Sequence, residues 1–383
     1  MLRAAYGRTG YERLQSSPPS GTSGEPGAKS NMTVSRLRVG LLGCGRIAGR
    51  IHLPALQNIA DAEVVAIAEP DATCRQTARA LAPRARLFPD FRELLAEVAI
   101  EAVVICLPPD LHADAVRAAF RRGLHVYVEK PLATTLEEGR AVVESATAAG
   151  TVGMVGLNFR YHPLVLALRR AVADGVVGEP VAIRSEFCAA GRRLPAWKRA
   201  RGSGGGALLD LASHQFDLLG FVSGQSILDV DCALSSRCTE EDTAVAQLRL
   251  SGGLVATVLA ALSAVDRHCM EVTGSEGTLS FDRYASSRLE FRPARRDFAR
   301  AARLRASAGW LARAPGSLKD ILSPPRETSF AAALAAFVAA ARRGEPAEPG
   351  LAAGLQSLTA VLAAERSARD GRRIAVASPG SAA

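Results

Sequence analysis

An α/β fold is predicted, with a doubly wound parallel sheet first and an α+β region of mostly antiparallel strands after it. Three observations predict it. Apolar β-branched runs alternate with helically spaced segments as far as Gly156, the first run opens through a glycine turn into a helix, and beyond Gly156 strand-like runs follow one another with hairpin-type joints.

The elements read in order. LRVGLL, residues 37–42, suits a buried parallel strand, and GCGRIA from Gly43 to Ala48 leads into RIAGRIHLPALQNI, whose apolar spacing is helical. EVVAIAEPD is the next strand and ends in Glu69. FRELLAEV, ADAVRAAFRRG and LEEGRAVVESATAAG then read as helices between the strands IEAVVICLPPD, LHVYVEKP and TVGMVG. Repeated strand and helix imply the parallel sheet, whose ligands lie beyond the carboxyl ends of its strands. Leu107, Pro108, His112, Glu129 and Lys130 are all placed there by topology. After Gly156, VAIRSEFC, SILDVDCALSS, DTAVAQLRL, GLVATVLAALS, CMEVTGS and GTLSFD form an antiparallel meander turning at Ser251–Gly253 and Ser275–Gly277, and two long helices near 327–344 and 350–371 close the domain. The division expected is a tail over 1–35, a dinucleotide domain over 36–156, an α+β substrate-binding and oligomerisation domain over 157–376, and a short tail over 377–383.

The glycine turn carries the first chemistry. Gly43 permits a tight turn, Gly45 lets the backbone approach a pyrophosphate at a helix N-terminus flanked by Arg46 and Ile47, and Ala48 is small enough for close helix-to-strand packing. Glu69 stands at the end of the second strand, where an acidic side chain takes the adenine ribose hydroxyls. A carboxylate there repels a 2′-phosphate, so NAD is favoured over NADP. Arg46 and Arg75 are the cations that would argue the other way.

Asp210 and His214 stand four apart in ALLDLASHQFDLLGF, whose spacing suggests a helix with both on one face. His214, with a near-neutral ordinary pKa, suits a general base toward a hydroxyl proton, and Lys130 suits a donor to the same oxygen. Asp210 would fix a substrate hydroxyl, orient His214, or both. Each has a blander reading as a strand-end lysine or a solvated helical pair; together beside a dinucleotide fingerprint they favour a site.

GCGRIA, PPDLH, HVYVEKP, GLNFRYHP, GGGALLDLASHQFDLLG and ERSARDGRRIAV, spread from about Leu37 to Val376, resemble the glucose-fructose oxidoreductase, inositol dehydrogenase and rhizopine catabolism family, written Gfo/Idh/MocA. The resemblance implies a Rossmann domain followed by an α+β domain on a large open sheet, with the active site between them. It also implies a catalytic group of Lys130, Asp210 and His214, a cis bond before Pro131, and a homodimer or homotetramer formed through the open sheet. His112 matches a position near the cofactor, although a histidine satisfied by backbone reads equally well. Asn158 and Arg160 are candidates for touching substrate or nicotinamide, against packing at the domain junction, and Trp197 for a wall of a sugar site, against anchoring a loop. The activity implied is hydride transfer between NAD and a hydroxyl or keto carbon of a sugar, cyclitol or derivative. The alternatives are a glycosidase that oxidises its substrate transiently and a non-catalytic dinucleotide sensor.

Composition bounds the rest. With 48% hydrophobic residues the chain can bury two cores. Seven scattered cysteines without a C-x-x-C pair suit a reducing cytoplasm, and His52, His125, His162 and His268 show no metal-ligand spacing, so no metal and no individual role are expected for them. No apolar run is long enough to span a membrane. The first 35 residues, rich in Ser, Gly and Pro, read as a disordered tail, and Met32 is a candidate translation start. The net charge of +9 is clustered. Arg192, Arg193, Lys198, Arg199 and Arg201 precede the GGG loop and would grip an anionic substrate or else form a solvated loop. Residues 292–313 hold seven arginines beside Phe298, Trp310 and Leu311, suggesting a lid, an oligomer arm or a surface-binding helix. Nucleic acid is disfavoured because no recognition motif accompanies the charge.

Overall fold

The structure is a computed structural model that describes residues 35–190, 196–294 and 327–377. The tail before residue 35, Arg192, Arg193, the arginine-rich segment from Arg295 up to residue 313, with Phe298, Trp310 and Leu311, and the last six residues lie outside that range, as does the side chain of Trp197.

From the amino end, β1 (Leu37–Leu42) leads through a π turn (Ala48–His52) into α1 (Leu53–Gln57). There follow β2 (Ala62–Ala68), α2 (Ala72–Leu81), β3 (Arg86–Phe88), α3 (Phe91–Glu97), β4 (Ala102–Ile105), α4 (His112–Arg121), β5 (His125–Val128), α5 (Leu136–Ala149) and β6 (Gly153–Val155). These strands form a six-stranded sheet in the order β3-β2-β1-β4-β5-β6, and every pairing is parallel. The order reverses between β1 and β4, which opens a crevice at their carboxyl ends. α5 starts at a reciprocal capping box between Thr135 and Glu138, so its entry point is set locally.

The second half comprises α6 (Pro163–Ala173), β7 (Pro180–Cys188), a π turn (Leu208–Ala212) running into α7 (Ser213–Ser223), β8 (Ile227–Ser235), β9 (Thr243–Leu250), β10 (Val255–Ala261), β11 (Arg267–Gly274), β12 (Gly277–Asp282), β13 (Glu290–Pro293), α8 (Ser329–Arg343), α9 (Leu351–Asp370) and β14 (Ile374–Ala375). Its eight strands are ordered β13-β12-β11-β7-β10-β9-β8-β14. Hairpins join β9 to β10 and β11 to β12 at the expected turns. The sheet is nevertheless not a simple meander, because β7 lies between β10 and β11 and runs parallel to β10. At its edges the short β13 pairs with the preceding β12, while β14 pairs with β8, distant in sequence, a pairing that strand-like composition does not reveal.

Strand alternation sorts the first sheet's side chains onto two faces. Val39, Leu41, Val104 and Tyr127 join one cluster with Leu334, Phe337 and Val338 of α8, so the chain returns after the second sheet to cover the first. Val103, Ile105, Val126 and Val128 join the other cluster, which continues into α7, α9 and the inner face of the second sheet. Among the described residues that sheet is covered on one side only. In β9, Ala244, Ala246, Leu248 and Leu250 are buried while Val245, Gln247 and Arg249 face outward.

Phe337 is fully buried, edge-on to Tyr127 at 5.8 Å between ring centroids. Phe337→Ala should therefore lower stability by about 3–5 kcal/mol, measured by denaturant unfolding; a loss within experimental error would mean that α8 is not part of the first sheet's core.

Candidate active site

The crevice between β1 and β4 is built by close backbone approach. Gly43 has φ +86°, and a Cβ there would stand 2.6 Å from the Cys106 carbonyl oxygen, so only glycine lets the two strand ends meet. A Cβ on Gly45 would meet nothing within 4 Å. Gly45, Arg46, Cys74 and Thr77 line an open groove of about 460 Å³, with Arg46 and Ile47 exposed and Ala48 buried. The helix after the turn begins with the π geometry of Ala48–His52 rather than the regular α-helix its spacing suggests, a widening that recurs at functional sites. The residues fit a dinucleotide: open space lies beside Gly45, where a ligand can approach its backbone.

Glu69 is buried, and its oxygens accept from the backbone N–H groups of Cys44 at 2.7 Å and Asp71 at 3.0 Å. It thus ties the glycine turn to the end of β2, with one further lone pair on each oxygen for another donor. Arg75, the cation that argued for a phosphate, donates instead to the carbonyls of Glu69 and Pro70. Burial, reinforced by Glu69, pushes the Cys44 thiol up to about 11, leaving it an inert packing group.

The loops after β4 and β5 are joined by His112. Its Nδ1 lies 2.6 Å from the Pro131 carbonyl and its Nε2 2.9 Å from that of Leu107. Burial holds this imidazole below its ordinary range, so it is neutral and donates to one carbonyl at a time. This is the backbone-satisfied histidine. Leu107 and Pro108 are partly exposed at the crevice rim.

Glu129 sits 2.8 Å from Nε2 of the fully buried His52, a contact that lacks hydrogen-bond angles and acts as an ion pair. Although burial opposes it, Cys106 and Glu129 together raise His52 to about 10. The other Glu129 oxygen accepts from the Lys130 backbone N–H at 3.2 Å, and the Lys130–Pro131 peptide is cis.

Lys130 and Asp210, eighty residues apart, form a partly buried ion pair of 2.9 Å from Nζ to Oδ1, and Nζ also donates to the Asp210 carbonyl. The other carboxylate oxygen, Oδ2, accepts from Lys198 Nζ at 2.7 Å. Burial alone would raise Asp210, but the two ammonium groups win and hold it far below the usual carboxylate range. His214 is buried against Phe159 at 4.6 Å between centroids, its Nδ1 has no hydrogen-bond partner, and burial and Lys130 keep it well below 6.5. No hydrogen bond joins Asp210 to His214 among the described residues. Asp210 lies in the π turn Leu208–Ala212, and His214 in α7, which continues from it.

Asn158 is buried, donates to Ser329 Oγ at 2.6 Å, and has no partner for its Oδ1. Arg160 goes elsewhere. Its guanidinium takes both oxygens of buried Asp217 and lines a separate open cavity of about 660 Å³ with Asp217 and Phe221, a cavity that none of Lys130, Asp210 and His214 lines. In the basic cluster, Lys198 binds Asp210 and Arg201 binds both oxygens of Glu365, so these two cations are neutralised within the chain.

Sequence reasoning missed several participants. His268, assigned no role, stacks on Phe187 at 4.3 Å and accepts from Arg283 at 2.8 Å; Arg283 pairs with Glu327, which accepts from Ser329. Lys198 was legible only as one of a cluster. A sharper signal was present: the chain has four lysines among its 47 Lys and Arg residues.

Residues 37–157 match the model for an oxidoreductase family with an NAD-binding Rossmann fold, and 165–280 match the GFO/IDH/MocA C-terminal domain. The inositol 2-dehydrogenase of Rhizobium meliloti is 30% identical over 89% of this chain and 99% of its own length. The chain belongs to the Gfo/Idh/MocA oxidoreductase family. A D-apiose dehydrogenase from Paraburkholderia graminis is 30% identical over 67% of this chain and 70% of its own. The WlbA dehydrogenase from Bordetella pertussis, solved with NADH and UDP-GlcNAcA, superposes with a TM-score of 0.75 at 26% identity, over 90% of this chain and 99% of that one. This Gfo/Idh/MocA protein is thus an oxidoreductase of CH–OH groups with an NAD-binding Rossmann domain.

Because His52 is raised to about 10 from 6.5, its contribution to stability is full below pH 6.5 and is lost as pH rises through 10. The difference in unfolding free energy between the wild type and His52→Gln should be largest near pH 6 and shrink toward pH 10. A difference that does not change with pH would show that His52 carries no charge.

Proposed function

We propose that this protein oxidises, or in reverse reduces, a hydroxyl carbon of a neutral sugar or cyclitol, with Lys130, Asp210 and His214 as its working group. The observation that carries the reading is the meeting of Lys130, from the end of a Rossmann strand, with Asp210 from the second half of the chain, beside a neutral buried histidine. Bound NAD would supply the acceptor for hydride. The backbone of Gly43 to Ala48 would hold its pyrophosphate, Glu69 its adenine ribose, and the rim at Leu107, Pro108 and Glu129 its nicotinamide half.

Lys130 would donate a hydrogen bond to the reacting oxygen and stabilise negative charge as it develops there. His214 would take the hydroxyl proton. It is suited to do so because it stays neutral at pH values where an exposed histidine would be charged. Asp210 would position Lys130, and the unpartnered Asn158 Oδ1 would accept from a substrate hydroxyl or the carboxamide of NAD. A neutral polyol is favoured over an anion because Lys198 and Arg201 are already paired with carboxylates.

The exposed face of the second sheet, where Val181, Val245 and Val255 are about half exposed, is proposed as the contact of a homodimer or homotetramer. Seven free cysteines support a reducing cytoplasm. Among the described residues no helix is long and apolar enough to cross a membrane.

A screen of cyclitols, free sugars and nucleotide sugars with NAD should give NADH with at least one neutral polyol, and Lys130→Ala should lower kcat by roughly 10²-fold or more. NAD binding without net NADH from any of them would favour transient oxidation or a sensor instead. With the active polyol, kcat/KM should hold as pH falls through 6.5 and decline only well below it, since His214 is depressed from that value. A decline centred at or above 6.5 would remove His214 from the base role.

A further inference from the structure

We propose that Lys198 is a positioning residue: by taking one oxygen of Asp210 and only one, it neutralises the buried carboxylate while leaving the other oxygen to hold Lys130, so Lys130 can shift onto a substrate oxygen without stranding an unpaired charge. This rests on the function proposed above.

The first argument is geometric. Lys198 reaches Oδ2 at 2.7 Å and Lys130 reaches Oδ1 at 2.9 Å, and the Asp210 side chain is about nine-tenths buried. A buried carboxylate that loses a sole partner is strongly destabilised, so a lone Lys130–Asp210 pair would oppose any movement of Lys130 toward substrate. A second ammonium removes that obstacle.

The second argument is chemical. Only four lysines occur among 47 basic residues, and both of those within the described range converge on Asp210. Three other carboxylates are held by arginine forks that occupy both oxygens: Asp217 by Arg160, Glu365 by Arg201 and Asp229 by Arg249. An arginine at 198 would offer Asp210 such a fork and compete with Lys130 for Oδ1. The Lys198 ammonium, a point donor without arginine's planar fork, takes one carboxylate oxygen here.

The backbone enforces this placement. A Cβ on Gly205 would stand 2.5 Å from the Lys198 carbonyl oxygen, and one on Gly204 2.6 Å from Pro109. Glycines therefore let the Lys198 segment lie against the loop that leads to Asp210, and that loop against the end of the β4 connection.

Two variants test the idea, each compared with wild type in three measurements. Lys198→Met should lower Tm and lower kcat by about tenfold or more, a change that corresponds to losing one modest interaction in the transition state. Lys198→Arg should leave Tm at or above the wild-type value yet still lower kcat by a similar factor, with KM changed far less. The third measurement needs no substrate: acetylation of Lys130 by acetic anhydride, followed by peptide mass spectrometry, should slow in Lys198→Met, where Asp210 holds Lys130 alone, and accelerate in Lys198→Arg, where Lys130 is displaced. Wild-type kcat in Lys198→Arg, or acetylation that moves the same way in both variants, would overturn the proposal. If no polyol is oxidised at all, the function proposed above fails, and the acetylation result alone still decides whether Lys198 governs Lys130.

Discussion

Asp210 is a carboxylate removed from water, and a charge so placed must be neutralised by groups that arrive from elsewhere in the chain. Here they arrive from the end of a parallel strand, as Lys130, and from the segment before the glycine loop, as Lys198. The π turn that carries Asp210, the three glycines before it and the buried start of α7 all serve to bring one carboxylate between those two ammonium groups. The site is the place where the two halves of the chain are joined by charge as well as by apolar contact.

Behind Lys130 the loops at the sheet's carboxyl ends are fixed by two buried histidines in opposite states. His112 is neutral and lies between the carbonyls of Leu107 and Pro131, donating to one at a time, while His52 is charged and pairs with Glu129. Burial alone would neutralise both rings; at His52, Cys106 and Glu129 together reverse the outcome. The result is a strand end whose backbone cannot drift while its lysine side chain is still able to reach outward. Gly156 contributes sterically, since a Cβ there would collide with the Glu129 carboxylate at 2.9 Å.

A second polar network reaches the site from the opposite side. His268, Arg283, Glu327, Ser329 and Asn158 are connected by hydrogen bonds and ion pairs across β11, β12, the start of α8 and the turn after β6. Arg283 always donates, so His268 Nδ1 accepts, and the ring stays neutral, consistent with a pKa that burial and Arg283 hold well below 6.5. Phe159 and Phe187 pack between this network and His214. His214 is thereby kept in an environment that disfavours its charge without any direct bond to the network.

The sequence by itself determined what depends on short range. Alternating strands and helices, the glycine turn, the hairpins at Ser251–Gly253 and Ser275–Gly277, and the candidates Lys130, Asp210 and His214 were legible because periodicity, turn chemistry and motif spacing act over a few residues to a few tens. Only the tertiary structure decided which charge meets which. Arg160 stands in a motif beside the site yet is claimed by Asp217, and Arg75 near the ribose position is held by two carbonyls. Lys198, one cation in a cluster of five, is the one seen to reach Asp210, and β7 enters the second sheet between strands that follow it in sequence. The reason is physical: a side chain's partner is set by which desolvated group needs neutralising at the point where distant segments pack, and that point exists only once the chain has folded.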